Sequence, residues 1–340
     1  MQESRFNQPV YGNYHGYYIK RSNISSSLDP RLNLLPDDIF KGKRVLDLGC
    51  NEGWLTVDIA QHFHPSKVIG VDIDGDLIRG AWKRRRTVWS MQRCSTSGSG
   101  NFSPSASPSD FEEGGSISSR RGTKRKRIES HIPTSIHDAF TSLYPTSQIP
   151  SSGPGSDPVF PLSMEYMFGP LPIPPVSMID PSLHSAFPHN ISFYTADWTR
   201  AVQENVSKVV GTEPDTQDIS GIVKEDKMGY DIVIAFSITK WIHLNGGDEG
   251  LLAFFRKIHS VLRPGPTGKG GVLLLEPQDW EGYAKARKLS KVLTENYKTL
   301  QLRPSDFSRV LTEMGFIEED TYAKGGDGGF KRSILMFRKR

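Results

Sequence analysis

Cysteine is scarce in this chain: among 340 residues only Cys50 and Cys94 occur. Two thiols so far apart make neither a metal-ligand spacing nor a disulfide framework, which points to a reducing, intracellular compartment and to no bound metal. Apolar residues are also few, at 36%, low for a chain that folds throughout. No uninterrupted apolar run approaches the length of a membrane-spanning helix, so no membrane partner is expected. The first residues, MQESRFNQPVYGNYHGYY, are polar and aromatic, unlike a signal peptide. Neither sign of charge dominates: 42 Lys and Arg stand against 38 Asp and Glu, a formal balance of +4. That mild excess is compatible with a nucleic-acid partner without requiring one.

Glycine, proline and serine are abundant but unevenly placed. From about Cys94 to Asp157 they dominate, around a basic block, Arg120–Arg127 (RRGTKRKR). This stretch lacks the apolar periodicity that offsets ordering entropy and is expected to be disordered. From Pro158 to Pro181 the chain stays proline-rich but gains Phe, Met, Tyr and Ile, as in a segment extended over a surface.

On either side of this insertion (about 94–181) the pattern is that of one α/β domain. Strands are expected at Arg44–Leu48, Lys67–Val71, Ile191–Tyr194, Tyr230–Ala235 and Gly271–Leu275. Helices are expected at Trp54–Phe63, Asp76–Trp89 and about Glu249–Leu262. Alternation of this kind makes a doubly wound, mostly parallel sheet with helices on both faces. Both flanks are needed to complete it, so the insertion interrupts one domain, 41–340, preceded by a tyrosine-rich segment, 1–40.

The strongest local signal is Val45-Leu-Asp-Leu-Gly-Cys-Asn-Glu-Gly53. It places Asp47 at the end of a buried strand, Gly49 at the turn, and Asn51 and Gly53 at the opening of a helix. Glycine lets backbone approach a ligand closely at the carboxyl edge of the first strand, where open α/β sheets bind nucleotides. About twenty residues on, Val68-Ile-Gly-Val-Asp-Ile-Asp74 ends the second strand with Asp72, suited to accept both hydroxyls of a ribose. A nicotinamide or flavin enzyme shares this plan, but the turn lacks the third glycine. The wording resembles class I methyltransferases. Asp197, after the third strand, is either an adenine contact or a helix cap for Asp197–Val206. Phe236 and Ser237 end the fourth strand, near the cofactor's methionine part.

The substrate side is expected in Ala235-Phe-Ser-Ile-Thr-Lys-Trp-Ile-His-Leu-Asn-Gly-Gly-Asp-Glu249, read as a loop. Trp241 is a substrate wall or a core plug, and His243 a reacting group or a satisfied loop histidine; Lys240 is harder to explain as packing. Glu276 and Gln278 of Leu275-Glu-Pro-Gln-Asp-Trp280 are expected to face the same crevice. Beyond Tyr283, Lys285 and Arg287 either neutralise phosphate oxygens or form a solvated helix face. Near the start, Tyr11, Tyr14, Tyr17, Tyr18 and Arg21 make a lid of phenols and stacking faces, or else an amphipathic helix.

Taken together, Tyr11-Gly-Asn-Tyr14 with Tyr17-Tyr18, Leu46-Asp-Leu-Gly-Cys-Asn51, Val71-Asp-Ile-Asp74, Thr239-Lys-Trp-Ile-His-Leu-Asn245 and Leu275-Glu-Pro-Gln278 resemble the bicoid-interacting family of RNA methyltransferases. The resemblance covers nearly everything outside Cys94 to about Pro181. It implies a seven-stranded Rossmann-like class I fold, S-adenosylmethionine as cofactor, and methyl transfer to the 5′-terminal γ-phosphate of a small non-coding RNA, or to a 5′-monophosphate. By matching position it implies cofactor contacts at Tyr18, Arg31, Gly49, Cys50, Asn51, Asp72, Ile73, Asp197, Phe236 and Ser237. It implies catalytic roles for Tyr17, Lys240 and His243, and RNA neighbours at Tyr14, Arg21, Trp241, Glu276, Gln278, Lys285 and Arg287. The chain departs from the family at Gly246, where an aromatic residue is usual. The expected partners are RNA with a 5′-phosphate end and proteins of a ribonucleoprotein, with the chain itself a monomer. Arg120–Arg127 reads as a nuclear-localisation patch, with an RNA tether or a solvated charge run as alternatives. The competing class is a non-catalytic RNA-binding scaffold on the same fold.

Overall fold

A computed structural model describes residues 9–18, 28–91, 167–200, 219–266, 269–322 and 332–340. Arg21, Cys94, the basic block Arg120–Arg127 and positions 201–206 of the expected Asp197–Val206 helix lie outside them.

Seven strands form one sheet: β1 Arg44–Leu48, β2 Lys67–Asp72, β3 Ile191–Thr195, β4 Ile232–Phe236, β5 Val272–Glu276, β6 Phe316–Tyr322 and β7 Ile334–Lys339. Their order is β3-β2-β1-β4-β5-β7-β6. The first five are parallel, whereas β7 runs antiparallel to both β5 and β6. β1, β4 and β5 are buried along their whole length, as expected of RVLDL, IVIAF and VLLLE strands covered on both faces. Alternation of side chains divides them between two cores. Leu46, Ile69 and Val233 join a cluster with Phe254, Phe255 and Phe307, while Val45, Val68 and Ile234 join one with Ile78 and Phe193.

The helices are α1 Trp54–His62, α2 Gly75–Ser90, α3 Ile219–Met228, α4 Thr239–Val261, α5 Trp280–Ala286, α6 Lys291–Thr299 and α7 Phe307–Glu313. The five expected strands are all present, with ends shifted by a residue or two. One expectation is corrected. The stretch after β4 is not a loop, because α4 starts at Thr239, and its helical geometry breaks only at Gly247 (φ 66°, ψ −171°). The glycines that read as a loop signal mark a kink between two helical pieces.

Residues 167–181 run over the surface, with Met167, Phe168, Val176 and Met178 exposed. The Leu171 amide donates to Ser90 Oγ at 2.7 Å and ties this run to the end of α2.

Candidate active site

The chain switches direction between β1 and β4, and there, at the carboxyl edge of the sheet, lies a cavity of about 400 Å³. Of the positions expected to hold a cofactor, Gly49, Asn51, Asp72 and Ile73 line it from one half of the sheet. Phe236 and Ser237 line it from the other, with Asp197, Tyr18 and Arg31 completing the wall.

The turn from β1 into α1 is built for close approach. Gly49 has φ +71°, and a Cβ there would stand 2.3 Å from Ile238 Cγ2, so a side chain would both strain the backbone and strike α4's entry. The amides of Gly49 and Cys50 donate to the Val71 carbonyl at 2.9 and 3.1 Å. The Asn51 amide donates to Asp72 Oδ2 at 2.9 Å, and the Asp74 amide to Asp72 Oδ1 at 3.0 Å. These bonds hold the Asp72 carboxylate at the cavity wall with lone pairs to spare. Burial pushes its pKa up to about 6, against the pull of the two amides, so it is largely ionised at neutral pH. Behind the turn, Asp47 accepts from Thr56 Oγ1 at 2.7 Å and is pushed up to about 7, chiefly by burial.

The cavity floor joins distant parts of the chain. The Arg31 guanidinium grips Asp29 through Nε and Nη2 (3.0 and 2.8 Å), reaches Glu276 Oε2 through Nη1 at 3.0 Å, and donates to the Tyr18 hydroxyl at 3.1 Å. It lies 4.8 Å from the Phe236 ring centroid, a cation–π contact. Ser237, held at φ 59°, donates its hydroxyl to Glu276 Oε2 at 2.7 Å and accepts from Arg332 Nη1 at 2.7 Å.

The roof is the N-terminal segment. Residues 9–18 form turns rather than an amphipathic helix. Asn13 Nδ2 donates to Asp74 Oδ2 at 2.8 Å, Asn51 Nδ2 to the Tyr14 carbonyl at 3.1 Å, and Asn245 Nδ2 to the Val10 carbonyl at 2.9 Å. A Cβ on Gly12 would lie 2.2 Å from Trp241 Nε1. The segment is therefore stitched to both halves of the domain, and Tyr11, Asn13, Tyr17 and Tyr18 face the cavity.

The model of the family described as Bicoid-interacting protein 3 (Bin3) matches residues 230–339. A probable RNA methyltransferase of Arabidopsis thaliana is 30% identical over 98% of this chain and 82% of its own length. The chain belongs to the Bin3 family. The 7SK snRNA methylphosphate capping enzyme of Mus musculus is 34% identical over 97% of this chain, which spans 40% of that relative's length. An RNA 5′-monophosphate methyltransferase of Rattus norvegicus is 36% identical over 33% of this chain and 38% of its own. The strand order and reversed β7 are those of the class I methyltransferase fold that the Bin3 resemblance implied.

Several expected positions lie away from the cavity wall. Cys50 is buried beneath the turn, not in the cavity wall. His243 is fully buried, with Nε2 2.6 Å from Asp248 Oδ1 and Nδ1 3.3 Å from the Tyr283 hydroxyl. It points into a small core behind α4 and does not line the cavity, because helical rather than loop geometry turns it away from Trp241. Burial lowers its pKa, against the opposing pull of Asp248. Gln278 accepts from Thr239 Oγ1 and the Lys240 amide (3.1 and 3.0 Å) and donates to the Ser237 carbonyl. It staples the start of α4, and Glu276 lies under Ser237, so neither faces a substrate directly. Lys285 is exposed on α5, and the Arg287 guanidinium sits 4.4 Å over the Tyr297 ring.

Trp241 does line the cavity, with Lys240 Nζ 4.4 Å from its ring centroid and the exposed Tyr14 ring 5.8 Å away, edge to face. Asp197 lines the cavity and accepts from Thr199 Oγ1 at 2.6 Å. Asp29 and Arg332 were not singled out by sequence reasoning; each enters through long-range packing that no local pattern announces. Among the described residues no group of His, Cys, Asp and Glu is placed to hold a metal ion, and no helix is long and apolar enough to cross a membrane.

Proposed function

We propose that the protein is an S-adenosylmethionine-dependent RNA methyltransferase acting on the 5′-terminal γ-phosphate of a small non-coding RNA. The observation that carries this reading is the Asp72 carboxylate, fixed at the cavity wall beside the Gly49 turn by the Asn51 and Asp74 amides, with acceptor capacity left for a ligand. An adenosyl-methionine ligand brings ammonium, hydroxyl and amine donors of the right kind, and the volume suits it. Asp72 would accept the ribose hydroxyls, and Asp197 the adenine amine. Arg31, at the cavity wall, would face the methionine carboxylate.

When bound, S-adenosylmethionine supplies an electrophilic methyl on a sulfonium centre. A terminal phosphate oxygen is anionic at neutral pH, so the protein needs no deep general base. Its task is to align that oxygen and screen the remaining charge. Lys240 beside Trp241 would neutralise phosphate, Tyr17 would orient the attacking oxygen, and Tyr14 with Trp241 would stack on the first base. The γ-phosphate is preferred over a monophosphate because likeness to the capping relative extends through 97% of the chain and likeness to the monophosphate relative through 33%. Nuclear localisation through Arg120–Arg127 belongs to the same proposal.

The test is transfer of labelled methyl from S-adenosylmethionine to matched RNAs bearing 5′-triphosphate, 5′-monophosphate or 5′-hydroxyl ends. Labelling restricted to the triphosphate is expected. Equal labelling of all three overturns the reading, and cofactor binding without any transfer returns the scaffold.

A further inference from the structure

α2 carries five basic side chains, Arg79, Lys83, Arg84, Arg85 and Arg86, against one acid, Asp76, in 16 residues. They serve different ends. Arg84 lies 3.4 Å over the Trp54 ring, and Arg85 Nε donates to the Pro188 carbonyl at 2.7 Å, so these two are absorbed by packing. Arg79 pairs with Asp76 one turn back. Lys83 and Arg86 are exposed and make no ion pair among the described residues. Arg79, Lys83 and Arg86 stand at i, i+4 and i+7, a single face covering about 10 Å of axis. The helix buries Leu77, Ile78 and Ala81 on its other side. Like charges at this spacing repel one another, and folding alone gives no reason to gather them.

The positive region continues past the helix. Burial lowers the pKa of His189, with Arg85, His184 and Lys67 adding to it; burial likewise lowers that of Lys67, where Glu225 opposes and Arg44 and Arg85 add, so several basic side chains share this edge of the sheet. In the other direction the face leads to the proposed site. α2 starts directly after Ile73, which lines the cavity. The roof segment bridges the gap: the Gly16 amide reaches Glu52 Oε1 at 3.5 Å, and Glu52 packs against Gly80 of α2. Two residues before Gly16 that segment holds Tyr14 against Trp241, next to Lys240.

We infer that the exposed face of α2, through Lys83 and Arg86 with Arg79, is a docking surface for the phosphodiester backbone of the RNA body, separate from the pocket for its 5′ end. The inference rests on the RNA reading above. Regularly spaced cations, of which Arg79 alone is paired with an acid of the helix, match a chain of phosphates, and they would add affinity and salt dependence without reading sequence. Short substrates would not reach them.

The experiment compares the full chain with its K83Q/R86Q variant. The probes are a 5′-triphosphate stem-loop RNA of about 30 nucleotides and a 5′-triphosphate dinucleotide. Binding to the stem-loop is followed from 50 to 300 mM KCl (~ sixfold range). The variant is expected to lose about two from the slope of log affinity against log salt, and about tenfold in affinity at low salt. Methyl transfer to the dinucleotide should stay unchanged, which also shows that the variant is folded. An unchanged slope overturns the surface, as does unchanged RNA binding with lost retention on polyglutamate, which would assign the face to an acidic protein. If the wild-type chain binds the stem-loop in a Lys83- and Arg86-dependent way yet methylates nothing, the proposed activity falls and the surface stands. If the wild type binds neither RNA, both fall.

Discussion

Arg31 and Glu276 lie 245 residues apart in the chain and meet at 3.0 Å beneath the cavity, with 2% and 0% of their side chains exposed. Each carries further partners: Asp29 and Tyr18 for the arginine, Ser237 for the glutamate. The pair therefore locks the segment before β1 to the ends of β4 and β5.

Removing Glu276 leaves Arg31 paired with Asp29 but strips Arg31 Nη1 and the Ser237 hydroxyl of a buried acceptor, which costs about 1–3 kcal/mol. Glu276→Ala is expected to lower urea stability by that order and to weaken cofactor binding through Ser237 and Arg31. Glu276→Gln, which keeps the volume and one acceptor oxygen, should lose less. Equal melting of wild type and Glu276→Ala would show that the network bears no weight.

The roof hinges on Gly12. Its φ of +79° and the 2.2 Å approach of Trp241 Nε1 leave no room for a methyl group. Gly12→Ala should detach the segment from α4 and weaken cofactor binding by about tenfold or more, an effect worth about 1.4 kcal/mol. Global stability should change little, since neither sheet core includes Gly12. Calorimetric titration checks this, and unaltered affinity would mean that the segment does not cover the ligand.

Asp72 gives opposite pH signatures to folding and to ligand binding. Its folded pKa, pushed up to about 6, lies above the ordinary carboxylate value. Folding therefore favours proton uptake between about pH 4 and 6, and this residue's contribution to stability falls as pH rises through that window. Accepting two ribose hydroxyls requires the ionised form. Affinity for S-adenosylhomocysteine should then rise with pH up to about 6 and level off above it. Asp72→Asn should bind weakly at every pH with no such rise; a steep rise retained in that variant would transfer the effect to another group.

His243 is expected to act through structure. Asp248, its partner, also accepts the Gln301 amide at 2.8 Å, so the contact holds the second piece of α4 against the end of α6. His243→Asn should cost about 1–3 kcal/mol of stability by leaving buried polar groups unmatched. Turnover of the folded fraction should remain within about tenfold, or about 1.4 kcal/mol of barrier. Abolished turnover with an unchanged melting curve would restore His243 to the chemistry.

The amino-acid sequence alone did not determine the antiparallel edge of β7 and β6, but it did determine the five parallel strands, the turn at Gly49 and the acid at Asp72. Those features are local: a short apolar run, a glycine after it, and a carboxylate one strand later leave few alternatives for a backbone that must bury its strands. Helical geometry at Thr239–Gly246 was hidden because the glycines at 246 and 247 imitate a loop, while Gln278 caps that helix from another strand end. Whether His243 faces the cavity or the core depended on that one rotation. Arg31 meeting Glu276, Asn245 catching Val10 and Gly12 seated on Trp241 were decided only by tertiary structure. Contacts between residues hundreds of positions apart are fixed by how sheet, helices and the covering segment pack, and no pattern within a short window encodes them.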